Sequence, residues 1–347
     1  MDPAIRRPAR SAGGCGRLGG GHPVPRDAQL CAARNGERAG VPRGARDGTA
    51  RDRHRSIPRE AKLIRDLTTA ARDGTLIHAE TYGPSDDPVP VICLPGLNRN
   101  ARDFHVLAKS LSTPDEWRAR RVIVVESRGR GRSGWADKAT YNVIQELDDL
   151  LVCLDSWKVG SAQFVGTSRG GLVTMLLAMK APERIDRVVL NDIGPTIERN
   201  GLARIASGIG VKMHHESFEA LADHLSEAQG TQFPRMPCGK WIRYAEQLAT
   251  IDPEGGVVLD FDPALAETVR GYSPDDPAPD FWPGFQALDG KPVMVVRGAY
   301  SDLLSAATVE AMRRRHRDLA TLVVPDEGHA PLLWDRLSIE TISTFLS

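Results

Sequence analysis

From about residue 62 onward, short apolar runs recur along the chain, separated by stretches of helical period. The runs VPVICL (89–94), RVIVVE (121–126), AQFVG (162–166), RVVLND (187–192), KPVMVVRG (291–298) and ATLVVP (320–325) are continuous and rich in β-branched residues. Strands buried on both faces of a parallel sheet have this texture. TLIHAETYG (75–83) alternates instead, as a half-buried strand does. Between the runs lie apolar stripes, the clearest being Val143, Leu147, Leu150, Leu151, Leu154 and Trp157, which predict one face of a helix of about 17 residues. This alternation predicts an α/β fold, a mostly parallel central sheet flanked by helices.

Two intervals break the rhythm. Between NDIGP and KPVMVV, over 195–289, the sequence carries helical patterns such as SFEALADHLSEA and Pro-rich turns such as GYSPDDPAPDFWPGF, with VVLDF as a single strand-like scrap. The interval is too long for a loop and too helical for more sheet, so it predicts an inserted helical lid, with 61–194 and 290–347 as the core. The first 60 residues are Gly, Pro, Ala and Arg without apolar period. Such a composition buries too little apolar surface to offset its ordering entropy, and the expectation is a disordered extension.

Charge sharpens this division. The formal net charge is zero, yet residues 1–60 hold 13 Arg, no Lys and 6 acids, net +7, leaving net −7 for the remainder. An Arg-rich arm suggests nucleic acid or an organelle transit peptide, but Asp27, Glu37, Asp47 and Asp52 are out of place in a transit peptide. The expectation is a functionless extension or a misplaced translation start, with no nucleic-acid partner. Of the five cysteines, Cys93 and Cys153 sit in apolar runs and Cys15, Cys31 and Cys238 show no paired spacing, which suits a reducing, cytoplasmic setting better than a disulfide framework. No apolar run approaches the roughly 20 residues of a membrane helix.

FVGTSRGG (164–171) carries the chemistry. Gly166, Ser168 and Gly170 satisfy G-x-S-x-G, a strand-to-helix turn that holds a serine hydroxyl at the sheet's carboxyl edge beside a helix N-terminus. The predicted strand AQFV precedes it and the helical LVTMLLAMKAPERI follows. A base is offered by His329, in PDEGHAP just after the last predicted strand. The orienting acid is assigned to Asp302, in the loop after the preceding strand, because that loop's position relative to the last strand fits triad geometry. Asp192, just after RVVLN, competes with it, and Asp326 is a third candidate. The oxyanion donors are assigned to the NH groups of Arg169, after the nucleophile, and Leu97, in the loop after VPVICL.

With these residues in place, positions 62–347 resemble the α/β-hydrolase superfamily. Beyond the elbow, the resemblance rests on PGLNRNARDF, ESRGRGRS, NDIGP, RGAYSDLLS and EGHAP, in that order. It implies a serine hydrolase that cleaves an ester-like bond of a small molecule through Ser168, His329 and Asp302, without cofactor or metal. Related families use the same triad on carbon–carbon bonds, lactones or amides, or to make peracids, and the fold also serves as a non-catalytic ligand receptor. Pro95-Gly96 stands where members often have His-Gly, and Glu126 where they often have Asp. Glu126 is expected to be a structural turn residue.

Rival motifs lack their context. GRGRSG (129–134) fits G-x-G-x-x-G, but a loop follows it rather than a helix. His214 and His215, taken as helical neighbours, diverge by about 100 degrees and make a poor metal pair. Arg99, Arg102, Arg128, Arg130 and Arg132 are either solvated or face an anionic substrate. Arg169 puts a cation at a helix N-terminus, an arrangement unfavourable by up to about 1 kcal/mol. An offsetting acid, or a substrate carboxylate, is therefore expected beside it.

Overall fold

The structure is a computed structural model that describes residues 64–113, 118–269 and 279–347. The expectation of a disordered 1–60 extension lies outside the described residues. The chain begins with β1 (Ile64–Ala70) and β2 (Leu76–Tyr82), then β3 (Val91–Leu94), α1 (His105–Ser112), β4 (Val122–Val125), α2 (Val143–Ser156), β5 (Ala162–Thr167), α3 (Arg169–Lys180) and β6 (Ile185–Asn191). An excursion follows, containing α4 (Arg199–Gly208), β7 (His214–His215), α5 (Phe218–Gln229), α6 (Cys238–Leu248), β8 (Ala249–Ile251), β9 (Val257–Leu259) and α7 (Trp282–Gln286). The chain then returns through β10 (Val293–Gly298), α8 (Ala306–Arg315), β11 (Leu319–Val324) and α9 (Arg336–Leu346).

Eight strands form one sheet in the order β1-β2-β4-β3-β5-β6-β10-β11. β1 pairs antiparallel with β2, and β2 with β4; every later pairing is parallel. The architecture is therefore the expected α/β fold with a mostly parallel sheet between helices.

The continuous apolar runs are explained by burial on two faces. Ile92, Leu94, Ile123, Phe164 and Leu190 point to one core, shared with Leu150 and Leu154 of α2 and Val173 and Leu177 of α3. Their alternate neighbours Val91, Cys93, Val122, Val124, Val165 and Val189 point to the other, shared with Leu107 and Leu111 of α1 and Ile342 and Leu346 of α9. Each buried aliphatic side chain contributes roughly 1.5–3 kcal/mol, and period-two alternation sends them to both layers at once. Cys93 and Cys153 are free thiols in this packing. Among the described residues no helix is long and apolar enough to cross a membrane.

The excursion differs from the helical expectation in one respect. β7, β9 and β8 form a small antiparallel sheet in that order. β9 is the strand-like VVLDF of the sequence, whereas β7 and β8, two and three residues long, are shorter than the window in which alternation can be recognised. β1 was likewise illegible, because its mixed burial lacks a clean period.

Candidate active site

Ser168 stands between β5 and α3 with φ 50° and ψ −116°, a backbone conformation that costs a non-glycine residue about 1–3 kcal/mol. The surrounding glycines make the turn possible. A Cβ on Gly166 would lie 2.6 Å from the Gly171 Cα, and one on Gly170 would lie 2.0 Å from the Leu94 carbonyl oxygen. The turn is tied to its neighbour strand where the Ser168 NH donates to the Asn191 carbonyl at 2.9 Å.

His329 lies in the loop after β11, and its Nε2 is 3.0 Å from Ser168 Oγ. Its NH donates to Gln232 Oε1 of the excursion at 2.9 Å. Asn191 bridges the two loops, donating from Nδ2 to Thr167 Oγ1 and to the Pro331 carbonyl, each at 3.0 Å. The serine and histidine expected from sequence are therefore in hydrogen-bond contact.

The acid differs from the expectation. His329 Nδ1 lies 2.8 Å from Asp192 Oδ2, and Asp302 makes no hydrogen bond to the imidazole among the described residues. Asp302 instead accepts from Arg204 Nε and Nη2 of α4, at 2.6 and 2.9 Å. Burial pushes its carboxyl up, but Arg204 overrides this and holds it below the usual range. The reason lies in sheet order. Asp192 leaves β6, beside the serine's own strand, and its NH donates to Val296 of β10 at 2.7 Å. This places a fully buried carboxylate between the two loops. Gly298 NH donates to its Oδ1 at 2.8 Å and Ser301 Oγ to its Oδ2 at 2.5 Å. Ser301, beside Asp302, takes the place on that loop that faces the imidazole's partner. Asp326, the third candidate, pairs with Arg235 at 3.5 Å.

The loop after β3 brings Gly96 close to the nucleophile: a Cβ there would be 3.7 Å from the Ser168 Cβ. Leu97 follows, its carbonyl accepting from Arg130 Nε at 2.7 Å. The Arg169 NH is the first amide of α3, where no carbonyl of the preceding turn is available to it. The side chain of Arg169 meets the offsetting acid anticipated from the helix dipole. Its Nε lies 3.0 and 2.9 Å from the two oxygens of Glu146, and its Nη2 donates to the Tyr141 carbonyl at 3.0 Å. The substrate-carboxylate reading of Arg169 is unnecessary.

The other arginines are also held by the protein. Arg99 forks onto Asp103 at 2.7 and 2.8 Å and reaches the Tyr244 hydroxyl at 2.6 Å. Arg102 binds the Gln247 carbonyl and Asp260. Arg128 is fully buried against Asp149 and Asp73, and Arg132 pairs with Glu80 and Asp66. Glu126 is the structural turn residue expected, accepting from the NH groups of Ala101 and Arg132 and contacting His78. A Cβ on Gly131 would fall 2.1 Å from its Oε1, so the GRGRSG loop wraps the protein's own carboxylate. His214 and His215 lie on a strand rather than a helix, one exposed and one buried. No group of three metal-ligating side chains occurs among the described residues.

This geometry sets a strained serine on a strand-to-helix turn with an imidazole 3.0 Å away, in the loop after the last strand. A family model described as alpha/beta hydrolase fold matches residues 89–336. The chain belongs to the alpha/beta hydrolase family. It is 33% identical over 273 residues to a 3-hydroxybutyrate-oligomer hydrolase of Cupriavidus necator, covering 77% of this chain and 91% of the relative. It is 30% identical over 239 residues to a 2-(acetamidomethylene)succinate hydrolase of Mesorhizobium japonicum, covering 67% and 79%. An alpha/beta hydrolase structure from Novosphingobium aromaticivorans superposes with TM-score 0.75 at 38% identity, covering 82% of this chain and 98% of that one. Other relatives are named as esterases. By family and relatives, the chain is a hydrolase of the ester-cleaving class.

Proposed function

We propose that the chain cleaves an ester of a small molecule through an acyl-enzyme formed on Ser168, with His329 as base and Asp192 as its orienting acid. The observation that carries this reading is the unbroken chain of contacts from Ser168 Oγ to His329 Nε2, 3.0 Å, and from His329 Nδ1 to Asp192 Oδ2, 2.8 Å. In the first half-reaction Nε2 takes the hydroxyl proton as Oγ attacks the ester carbonyl. The NH groups of Leu97 and Arg169 receive the oxyanion. His329 returns the proton to the departing alcohol. Water then attacks the acyl group with the same base, releasing the acid and restoring Ser168. Asp192, held by Gly298 and Ser301, keeps the proton on Nδ1 and stabilises the imidazolium.

The excursion over 195–289 is the lid of this reading, since Gln232 reaches the His329 loop and Arg204 the Asp302 loop. For substrate, short oligomers of a 3-hydroxyacid are the first class to test, because the Cupriavidus necator relative carries that name across nearly its whole length. Ser168→Ala is expected to lower kcat by about 10⁴-fold or more and to abolish labelling by a fluorophosphonate. Hydrolysis of 3-hydroxybutyrate trimer and of p-nitrophenyl butyrate, followed by chromatography, ranks the ester classes. Undiminished turnover by Ser168→Ala ends the proposal.

A further inference from the structure

Arg130 is buried at 1% exposure beneath the loop that carries Leu97. Its Nε donates to the Leu97 carbonyl at 2.7 Å, and its Nη1 donates to the Arg128 carbonyl at 2.6 Å. The same Nη1 lies 2.9 Å from Glu146 Oε1. Glu146 is itself buried, on α2, and the other cation it holds is Arg169. One carboxylate thus lies between two guanidiniums, one fastened to the Leu97 residue and the other belonging to Arg169. Burial pushes the Glu146 carboxyl up, but Arg130 and Arg169 override it and keep it ionised.

Neither side chain is explained by stability alone. A buried ion cluster is weak as a stabiliser, because desolvation offsets much of the attraction. This one is also unbalanced, two cations to one anion, and Arg130 Nη2 is buried without a partner among the described residues. Arg169 stands in the first turn of α3, where the helix dipole disfavours a cation. Arg128, two residues earlier, has two carboxylates of its own, Asp149 and Asp73.

We propose that Glu146, Arg130 and Arg169 form a brace that sets the separation of the two oxyanion-hole amides, Leu97 NH from the β3 loop and Arg169 NH from α3. These amides come from segments 72 residues apart in sequence, and one carboxylate on a third segment fixes both. Glu146 and Arg130 are positioning residues, acting through the backbone they hold. The inference rests on the acyl-enzyme reading above.

The test uses Glu146→Gln, which keeps the shape and removes the charge, and Arg130→Lys, which keeps a charge and loses the fork between Leu97 and Glu146. Displacing a donor by a fraction of an ångström is expected to lower kcat by about 10- to 100-fold. KM stays within about threefold, because the oxyanion forms only after substrate is bound. The inhibition constant of a trifluoromethyl ketone, which adds to the serine as a tetrahedral oxyanion, is expected to rise by the same factor as kcat falls. Activities are normalised to folded protein by circular dichroism. A kcat within twofold of the parent in both variants overturns the brace, and so does a loss that vanishes on normalisation. If the parent itself fails to label at Ser168 with a fluorophosphonate, the acyl-enzyme reading fails and the brace with it. Labelling with an unchanged kcat in the variants removes the brace alone.

Discussion

Replacing Asp192 by Asn tests the acid assignment with a change of one atom. Asp192 Oδ1 receives the Gly298 NH at 2.8 Å, so the remaining carbonyl oxygen of an asparagine stays there; the flipped amide would set two donors face to face. The Asn NH₂ then occupies the place of Oδ2, which now faces both Ser301 Oγ and His329 Nδ1. Ser301 Oγ already accepts from the NH groups of Leu303 and Leu304, so its hydroxyl loses its acceptor as well. His329 cannot adapt without cost: Nδ1 becomes an acceptor, its proton moves to Nε2, and Nε2 can no longer take the proton of Ser168. The lost tautomer and the lost imidazolium stabilisation together are expected to lower kcat/KM by about 10³- to 10⁴-fold, about 4–5.5 kcal/mol. Asp302→Asn serves as the contrast. It weakens a partly buried ion pair with Arg204 that does not touch the imidazole, and is expected to leave kcat/KM within about threefold. The assay is steady-state hydrolysis of a p-nitrophenyl ester by both variants at neutral pH, with active-site titration. If Asp192→Asn retains a tenth of parental activity while Asp302→Asn is inactive, the tautomer argument is refuted.

Two further outcomes concern stability. Gly170→Ala places a Cβ 2.0 Å from a backbone oxygen of β3 and is expected to cost about 3 kcal/mol; it is read from the midpoint of urea unfolding, and an unchanged midpoint contradicts it. Burial alone would raise the Glu80 carboxyl, but hydrogen bonds from His105 and Tyr82 bring it down to about 2 from an ordinary 4.5. A depressed folded-state value means stability present above the ordinary value and lost as pH falls from there toward 2. Glu80→Gln should therefore be less stable than the parent at pH 7, with the difference closing below pH 4 in thermal melts; a difference that widens on acidification contradicts the assignment.

The fold was legible because the central parallel strands β3, β4, β5, β6 and β10 are buried on both sides, which leaves apolar runs too continuous to mistake, while the edge strand β11 is only partly buried. The serine and histidine were legible for a related reason: strand-end position restricts which side chains can meet at the sheet's rim. The acid was not. Asp192 and Asp302 each follow a strand whose carboxyl end opens on the same rim, and sequence spacing does not show which carboxylate turns inward. Sheet order decides it by placing Asp192 beside the serine's own strand, and Arg204, about a hundred residues before Asp302 and on another element, holds the other carboxylate aside. Glu146 was invisible for a similar reason. Its stripe marked α2 as amphipathic, and nothing in that period shows that one carboxylate is buried under two arginines brought from elsewhere. Charged residues that find partners across the fold leave no periodic trace.

The excursion's grip on the β3 loop has a consequence for engineering. Arg99 holds Tyr244, Asn100 and Arg102 hold the Gln247 carbonyl, and Gln247 reaches back to Asp103. Transplanting a foreign cap in place of the excursion would sever that polar seam and leave buried donors without their acceptors, two residues from Leu97, whose amide is proposed to hold the oxyanion. A chimera intended to alter selectivity should carry positions 99–103 with the donor cap, so that the graft boundary falls through water-exposed chain rather than through the seam.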